Sequence, residues 1–292
     1  MCAGTQSRIS RSRRLAAPIN VPSSALRSSA CSVQQGRPAA TNRKASVAIA
    51  QNRLIELLPR KDRSSLLADC EPVQLTLGDV LSEPGQPTSH VYFPTDCFIS
   101  LVTFIDGRPG LEVAMVGREG MLGIQLVAGV STAPTRAQVQ GSGAAWRISP
   151  IAFRRQLAHS AALQRVLNRY LCVLMDQLAT SATCLRFHLI GPRLARWLLM
   201  SQDRAHADNF HVTHEVLAHM LGVRRVGITV AAGALHRSGL IEYRRGDVRV
   251  LDRTKLEAEA CGCYAIDRRT YAELMPTTSG IARAPRVKVS PH

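Results

Sequence analysis

The sequence has no uninterrupted apolar run of about 18 residues, the length that a membrane-spanning helix requires. Its hydrophobic content is 46%, which is ordinary for a water-soluble protein. We therefore expect no membrane partner. With 292 residues, the chain is long enough for two domains that each bury a core of their own.

The cysteines lack a paired spacing pattern. Cys261 and Cys263 are too close together for the usual zinc-binding pair, and no second pair accompanies them. This absence argues against a disulfide framework and against a metal site, and it favours free thiols in the cytoplasm. The eight cysteines are Cys2, Cys31, Cys70, Cys97, Cys172, Cys184, Cys261 and Cys263.

Acidic residues are absent from residues 1–45, which carry eight Arg or Lys. Residues 46–192 are nearly neutral, with 13 basic and 11 acidic side chains, whereas residues 193–253 have ten Arg and six acidic residues. The net charge of +16 is therefore concentrated on the tails and on one internal segment. Such a distribution indicates a phosphate-bearing partner.

Residues 1–45 are rich in Ser, Arg, Ala and Pro without apolar periodicity, which predicts a disordered basic tail. The composition superficially resembles an organelle transit peptide, but a clear amphipathic helix is missing. Translation from a downstream start codon would give the same pattern, so it is open whether this tail belongs to the translated protein.

Short alternating strands separated by Gly, Pro and Asp characterise residues 71–148, after a predicted helix from Gln51 to Leu67. Many short strands with regular turn signals favour a sandwich or jelly roll, which we place at residues 46–160. Ser149-Pro150 predicts the start of a helix. The strand candidates are Val73–Leu77, His90–Phe93, Phe98–Phe104, Leu111–Val116 and Ala137–Val139.

A long helix is predicted from about Ala161 to Phe187, within a linker of residues 161–190, with leucines largely at a spacing of three or four. We expect one face to pack on the jelly roll and another to form a dimer. Gly191-Pro192 predicts the end of this helix and a domain boundary. The next helix is expected at Arg193–Arg204.

Residues 191–253 carry the most specific pattern of the chain. Apolar residues follow helical spacing through Val216–Leu221, and Gly222 then allows a sharp bend. A second apolar helical run, Val226–Leu235, begins directly after Arg224-Arg225. This layout predicts a helix-turn-helix, in which the start of the second helix meets base edges and phosphates in the major groove.

Two alternating runs, Leu240–Tyr243 and Val248–Leu251, flank the turn Arg245-Gly246-Asp247 and predict a hairpin, or wing. Residues 254–292 are expected to complete a terminal helix, Asp252–Leu274, and to end in a loose basic tail. The fold class is thus α+β, with an N-terminal jelly roll, a long dimerisation helix and a C-terminal winged helix-turn-helix.

This order of parts resembles the Crp/Fnr family of bacterial transcription regulators, and the resemblance covers about residues 51–251. The stretch Gly117–Gly123 is similar to that family's phosphate-binding cassette, which implies an effector site in a cyclic-nucleotide-binding-like domain. An equally plausible interpretation on chemistry alone is a glycine-rich turn with one solvated acid. The effector-binding candidates are Gly117, Glu119, Gly120, Met121 and Arg136.

Two departures from the family pattern argue against a cyclic nucleotide. The family's Arg-Ser/Thr pair, which neutralises the cyclic phosphate, falls on Ala133 and Pro134, and the nearest arginine, Arg136, is displaced. The pair that meets the adenine falls on Leu178 and Ala179. Because burial of a phosphate without a cation is costly, we expect weak or no binding of cyclic AMP, no cofactor, and an unknown small-molecule effector.

Other ligands of this family lack support in the sequence. The cysteine cluster that holds an iron–sulfur centre is missing, and single haem ligands such as His90 or Cys97 are weak candidates. His214 and His219 are five residues apart, so they do not converge on one face of a helix. We expect His206, His211, His214 and His219 to be solvated or capping residues.

The resemblance also implies roles in DNA binding. Thr213 matches the residue that caps the first motif helix, and Arg225 matches the arginine that reads guanine. Val226 and Val230 replace two polar base readers of the family, so the usual operator is in doubt, and Val226 could meet a thymine methyl group. Further DNA-contact candidates are Thr229 and the phosphate-binding arginines Arg224, Arg237, Arg244, Arg245 and Arg249.

The sequence therefore predicts a cytoplasmic, homodimeric transcription regulator, without enzymatic activity, that binds double-stranded DNA and has RNA polymerase as a further candidate partner. Two alternatives remain at this level. One is a constitutive DNA-binding protein whose jelly roll serves only as a dimerisation scaffold. The other is a cupin-type metal enzyme, which is disfavoured because residues 71–148 contain one histidine, His90.

Overall fold

The structure is a computed structural model that describes residues 52–106, 110–205 and 208–276. The predictions for residues 1–45, for the C-terminal basic end and for His206 lie outside these described residues.

The described part begins with two short helices, α1 (Arg53–Glu56) and α2 (Arg60–Ala68). The prediction of one continuous helix from Gln51 to Leu67 is wrong, because Pro59 lacks an amide proton and precedes α2 as its N-cap. Asn52 caps α1 and also donates to the carbonyl oxygens of Pro94 and Gly120, at 2.9 and 2.8 Å. These buried bonds fix the helix to the loop that contains Gly120.

Two antiparallel sheets form the jelly roll. One sheet has the strand order β1-β7-β3 and the other has the order β2-β6-β4-β5. Most strands that follow each other in the sequence therefore lie in different sheets. Residues on the inner faces, such as Phe93, Ile99 and Val139, are almost completely buried between the sheets. The strands are β1 (Glu71–Leu75), β2 (Val80–Ser82), β3 (Val91–Pro94), β4 (Phe98–Thr103), β5 (Leu111–Val116), β6 (Arg136–Gly141) and β7 (Gly143–Ile148).

Helices α3 (Pro150–His159) and α4 (Ala161–Phe187) follow the roll and confirm the predicted starts. The Ser149 hydroxyl accepts from the amide of Ala152 at 3.3 Å, and the Ser160 hydroxyl accepts from the amide of Leu163 at 3.0 Å. Both hydroxyls thus cap a helix. The N-terminal half of α4 buries one stripe of side chains against the roll, namely Leu163, Leu167, Tyr170 and Leu174.

The C-terminal half contains α5 (Ile190–Ala205), β8 (Asn209–His211), α6 (His214–Met220), α7 (Arg225–Arg237), β9 (Ile241–Arg244), β10 (Asp247–Val250), α8 (Arg253–Glu259) and α9 (Cys263–Leu274). The predicted break at Gly191-Pro192 is wrong: α4 already ends at Phe187, and Pro192 lies in the first turn of α5, where its missing amide proton costs nothing. The predicted terminal helix is interrupted at residues 260–262.

Side chains of the roll and of the C-terminal half share a second core. Phe98 and Met115, from β4 and β5, are buried together with Trp197 of α5 and Leu217 of α6. The Trp197 indole Nε1 donates to Glu112 Oε1 across this interface at 2.8 Å. Within the described residues, none of the helices is long and apolar enough to cross a membrane alone; only α6 and α7 together, bent by 110°, reach the required length and composition.

Candidate nucleic-acid interface and sensor loop

Helices α6 and α7 meet at an angle of 110° around Gly222. Gly222 has φ +61°, a left-handed conformation that a glycine adopts at little cost. Thr213 is the N-cap of α6, and its hydroxyl accepts from the amide of Val216 at 3.2 Å. The local sequence therefore produces the predicted helix-turn-helix.

One face of α7 is exposed to solvent at its start. Val226 and Val230 are 67% and 65% exposed, and Arg224 and Arg225 extend beside them from the N-cap and the first helical position. Within the described residues no side chain caps this N-terminus. Its amide groups and helix dipole therefore favour an anionic ligand such as a DNA phosphate.

His214 connects α6, α7 and the wing. Its ring lies 4.4 Å from that of Tyr243, and its Nδ1 is 3.0 Å from the hydroxyl of Thr229. Burial, and then the charge of Arg225, lower the pKa of His214, so the ring is neutral at ordinary pH. The Thr229 hydroxyl also donates to the Arg225 carbonyl at 3.1 Å, so this predicted DNA contact already has two protein partners.

The wing is a three-stranded sheet with the order β8-β10-β9, and β8 is a strand that the sequence pattern did not reveal. Its tip is the turn Arg245-Gly246, where both residues have positive φ, as a type I′ turn requires. Arg244, Arg245 and Arg249 are exposed on it. Within the described residues, neither these three arginines nor Arg224, Arg225 and Arg237 form an ion pair.

Comparison with known proteins decides what this C-terminal half is. A family model described as the Crp-like helix-turn-helix domain matches residues 192–259. This chain contains a Crp-like helix-turn-helix domain. The match includes α5 and α8 on either side of the motif and the wing. No curated protein matches the chain.

Solved structures match about two thirds of this chain. FixK2 from Bradyrhizobium japonicum is 12% identical, with a TM-score of 0.56 over 66% of this chain and 98% of that one. TTHA1359 from Thermus thermophilus, a regulator of the CRP/FNR family, is 21% identical, with a TM-score of 0.54 over 65% and 98%. CLP from Xanthomonas campestris, described as a c-di-GMP responsive global regulator, is 16% identical, with a TM-score of 0.54 over 66% and 100%.

These likenesses confirm the α+β fold class. The chain has the architecture of the solved Crp/Fnr-type regulators, with a Crp-like helix-turn-helix domain at residues 192–259.

The loop that follows β5, Gly117–Gly123, holds four of the five predicted effector residues, and we call it the sensor loop after that prediction. Gly117 donates its amide proton to Glu119 Oε1 at 3.1 Å, and Met121 is fully buried. Gly120 lies so close to Tyr170 of α4 that any side chain there would collide with the phenol ring. The fifth residue, Arg136, lies on β6 and is paired with Glu83 at 2.8 Å.

Glu119 faces the Crp-like domain. Arg204 of α5 forms an ion pair with it, with Nε 2.8 Å from Oε1, and Tyr271 of α9 donates to its carbonyl oxygen at 2.9 Å. A cavity of about 1220 Å³ opens beside this contact, and Tyr170, Asp267, Arg204 and Glu119 are among the residues that line it. No local pattern in the sequence indicates that α5 and α9 reach this loop.

The six cysteines among the described residues are free thiols, as expected, but three of them lie close together although the sequence gives them no paired spacing. Cys184 and His188, at the end of α4, lie next to Cys261 and Cys263, at the start of α9. Residues distant in sequence meet because α9 folds back along α4. At two other cysteines, burial raises the pKa of the thiol, in Cys70 and in Cys97, to about 12.

Proposed function

We propose that this chain is a homodimeric regulator that binds double-stranded DNA through α7 and the wing and so controls transcription in the cytoplasm. The observation that carries this proposal is the exposed start of α7 on a Crp-like domain, where Arg224 and Arg225 form no ion pair with any described residue. A surface with unpaired guanidinium groups and free helix amides is suited to a polyanion.

The same face divides into base-reading and phosphate-binding parts. In this proposal Arg225, at the first position of α7, reads guanine, and the exposed Val226 and Val230 contact thymine methyl groups. The wing arginines extend to the side of the helix and are suited to phosphates. In the Crp/Fnr family, two polar base readers occupy the positions of Val226 and Val230. We therefore expect an operator sequence that differs from the usual operator of that family.

Dimerisation is supported by a second face of α4. Its exposed or half-buried apolar residues recur with the alternating spacing of four and three that a coiled-coil seam requires. Met175 is 62% exposed and Leu178 is 39% exposed, although both are large and apolar. The seam consists of Leu171, Met175, Leu178, Ala182 and Leu185.

The second half of the proposal concerns control of DNA binding by the jelly roll. Three possibilities are an unknown small-molecule effector, a cyclic nucleotide and constitutive binding without an effector. An unknown small molecule would enter the cavity beside Glu119 and compete with Arg204 for that carboxylate. A cyclic nucleotide is disfavoured because Arg136 pairs with Glu83. A constitutive regulator is favoured by the interior of the roll, where apolar side chains fill the space between the sheets.

The test is selection of bound DNA from a random duplex pool. We expect a two-fold symmetric motif whose half-sites are centred about 10 base pairs, or a multiple of this, apart. The variant Arg224→Ala/Arg225→Ala should lose binding with an unchanged circular dichroism spectrum. Met175→Asp/Leu178→Asp should give monomers in sedimentation analysis and lose the symmetric motif. Absence of duplex binding by the wild-type chain at low salt would contradict the proposal.

If a motif is selected, transcription from a promoter that carries it tests whether the chain also recruits RNA polymerase.

A further inference from the structure

Four metal-ligand side chains converge where α4 ends and α9 begins. The Sγ atoms of Cys184, Cys261 and Cys263 and a ring nitrogen of His188 all lie within 4.8 Å of one another. Cys184 and His188 are four residues apart, so they share one face at the end of α4. Cys261 and Cys263 flank Gly262, and Cys263 is the first residue of α9.

The distances fit a shared metal ion better than a disulfide. Cys184 Sγ is 3.5 Å from Cys261 Sγ, and Cys263 Sγ is 3.5 Å from His188 Nδ1. A disulfide would require the two sulfurs to be about 2.05 Å apart. Four ligands placed tetrahedrally around zinc, at about 2.3 Å for sulfur and about 2.0–2.1 Å for nitrogen, stand about 3.5–3.8 Å from each other.

The surroundings of the cluster suit thiolate ligands. The three cysteine side chains are buried, and they form a small core of their own apart from the two large ones. Arg196 is buried nearby, lines a small cavity together with Cys184, and is itself paired with Asp267 at 2.6 Å. The N-terminus of α9 adds a further positive field at Cys263.

We propose that Cys184, His188, Cys261 and Cys263 bind one zinc ion in a closed, structural site. Three thiolates, a neutral imidazole and Zn²⁺ carry a net charge of −1, and the buried guanidinium groups of Arg193 and Arg196, which line a small cavity with Cys184, lie beside it. With all four positions taken by the protein, the metal has no open position for catalysis. The metal joins the end of the dimerisation helix to the helix that follows the Crp-like domain.

The site has a mechanical consequence for the sensor loop. From its metal-bound start, α9 runs back along α4 to Tyr271, which donates to the carbonyl oxygen of Glu119 at 2.9 Å. Met275, just beyond α9, is buried in the core of the roll. The metal therefore fixes one end of a helix whose other end lies on the loop, and its loss is expected to free α9.

The experiment is metal analysis of the full chain purified under reducing conditions. We expect about one zinc per chain, and reduced protein freed of metal should take up one cobalt with the intense visible absorption of a tetrahedral thiolate site. Cys263→Ser should weaken cobalt binding by more than about tenfold. His188→Gln leaves the buried thiols intact, so it serves as a second variant in case Cys263→Ser does not fold. It should alter the cobalt spectrum. Cys172→Ser, an exposed cysteine on the same α4, is the matched control and should bind like the wild type.

Three results would overturn the inference. One is reduced, folded wild-type protein that takes up no stoichiometric zinc or cobalt. A second is a Cys184–Cys261 disulfide in protein purified without reductant, together with no metal uptake after reduction. The third is iron with bridging sulfide in place of zinc. Amide hydrogen exchange in residues 263–274 tests the mechanical step: it should increase when metal is removed, and unchanged exchange would show that the metal does not hold α9.

Discussion

The arginines of residues 193–253 have two opposite environments. On α7 and the wing, Arg225 and Arg245 are exposed and have no ion-pair partner in the part of the chain that the structure describes. On α5, Arg196 and Arg204 are buried, and each pairs with a carboxylate from another part of the chain. The local excess of positive charge therefore does not all face DNA.

The difference is one of desolvation. A guanidinium group that leaves water must find a carboxylate or carbonyl partner, and once it has done so it connects two elements. Arg196 connects α5 with Asp267 of α9, and Arg204 connects α5 with Glu119 of the sensor loop. The internal arginines thus link the domains, whereas the external ones remain available to phosphates.

The largest expected effect comes from breaking a buried pair. Arg196→Ala leaves the Asp267 carboxylate buried without its partner, which should lower the free energy of unfolding by about 3–5 kcal/mol. Urea denaturation followed by circular dichroism measures this. The double variant Arg196→Met/Asp267→Leu should recover most of the loss, and a single-variant loss below about 1 kcal/mol would show that the pair is not desolvated.

The next effect is a pH dependence at the same interface. Burial raises the pKa of Glu112 from its ordinary 4.5 to about 7, against the lowering effect of hydrogen bonds from Ser100 and Trp197 and of the charges on Arg204 and Arg196. Because the folded state holds the proton more tightly, its stability falls as pH rises from about 4.5 to 7 and is level above that. The loss is about 3 kcal/mol at most.

Denaturation curves between about pH 5 and 8 test this prediction. In Glu112→Gln, which keeps the shape and cannot ionise, the decline in stability over this interval should be smaller than in the wild type. Parallel profiles for the two proteins would place the titrating group elsewhere.

Local patterns predicted the parts of this fold that depend on local chemistry. The bounds of α4 were predicted correctly at Ala161 and Phe187 from its leucine stripe, although Gly191-Pro192, the pair expected to end it, lies in α5. The helix-turn-helix was predicted correctly because Thr213 and Gly222 each have one local function, a cap and a bend.

Pairings across the chain could not be predicted in this way. Cys184 and Cys261 are 77 positions apart, and no spacing rule links them. The burial of Arg196 and Arg204 could not be predicted either, because their carboxylate partners lie far away in the sequence, on α9 and on the sensor loop. The interruption of the terminal helix before Cys263 was also missed, although Gly262 is a residue that helices disfavour.

A third prediction concerns base reading by the external arginines. Arg225→Ala should relax the preference at one base position per half-site, with a loss of about 1–3 kcal/mol in discrimination. Selection from a random duplex pool with wild type and variant measures this. If every position weakened equally, Arg225 would be a phosphate contact, and another residue of α7 would read the base.

The smallest effect on stability is expected at Arg245, at the wing tip. This substitution distinguishes the exposed arginines from the buried ones most directly. Arg245 has φ 54°, so Arg245→Asn removes the charge with a residue that tolerates this conformation. Unfolding free energy should change by less than about 0.5 kcal/mol, in contrast to Arg196→Ala. Binding should weaken alike for all sequences, and the slope of log K against log salt should become shallower by about one, because one phosphate contact is lost. A changed sequence preference with an unchanged slope would instead make Arg245 a base reader, and the wing would then contribute to specificity.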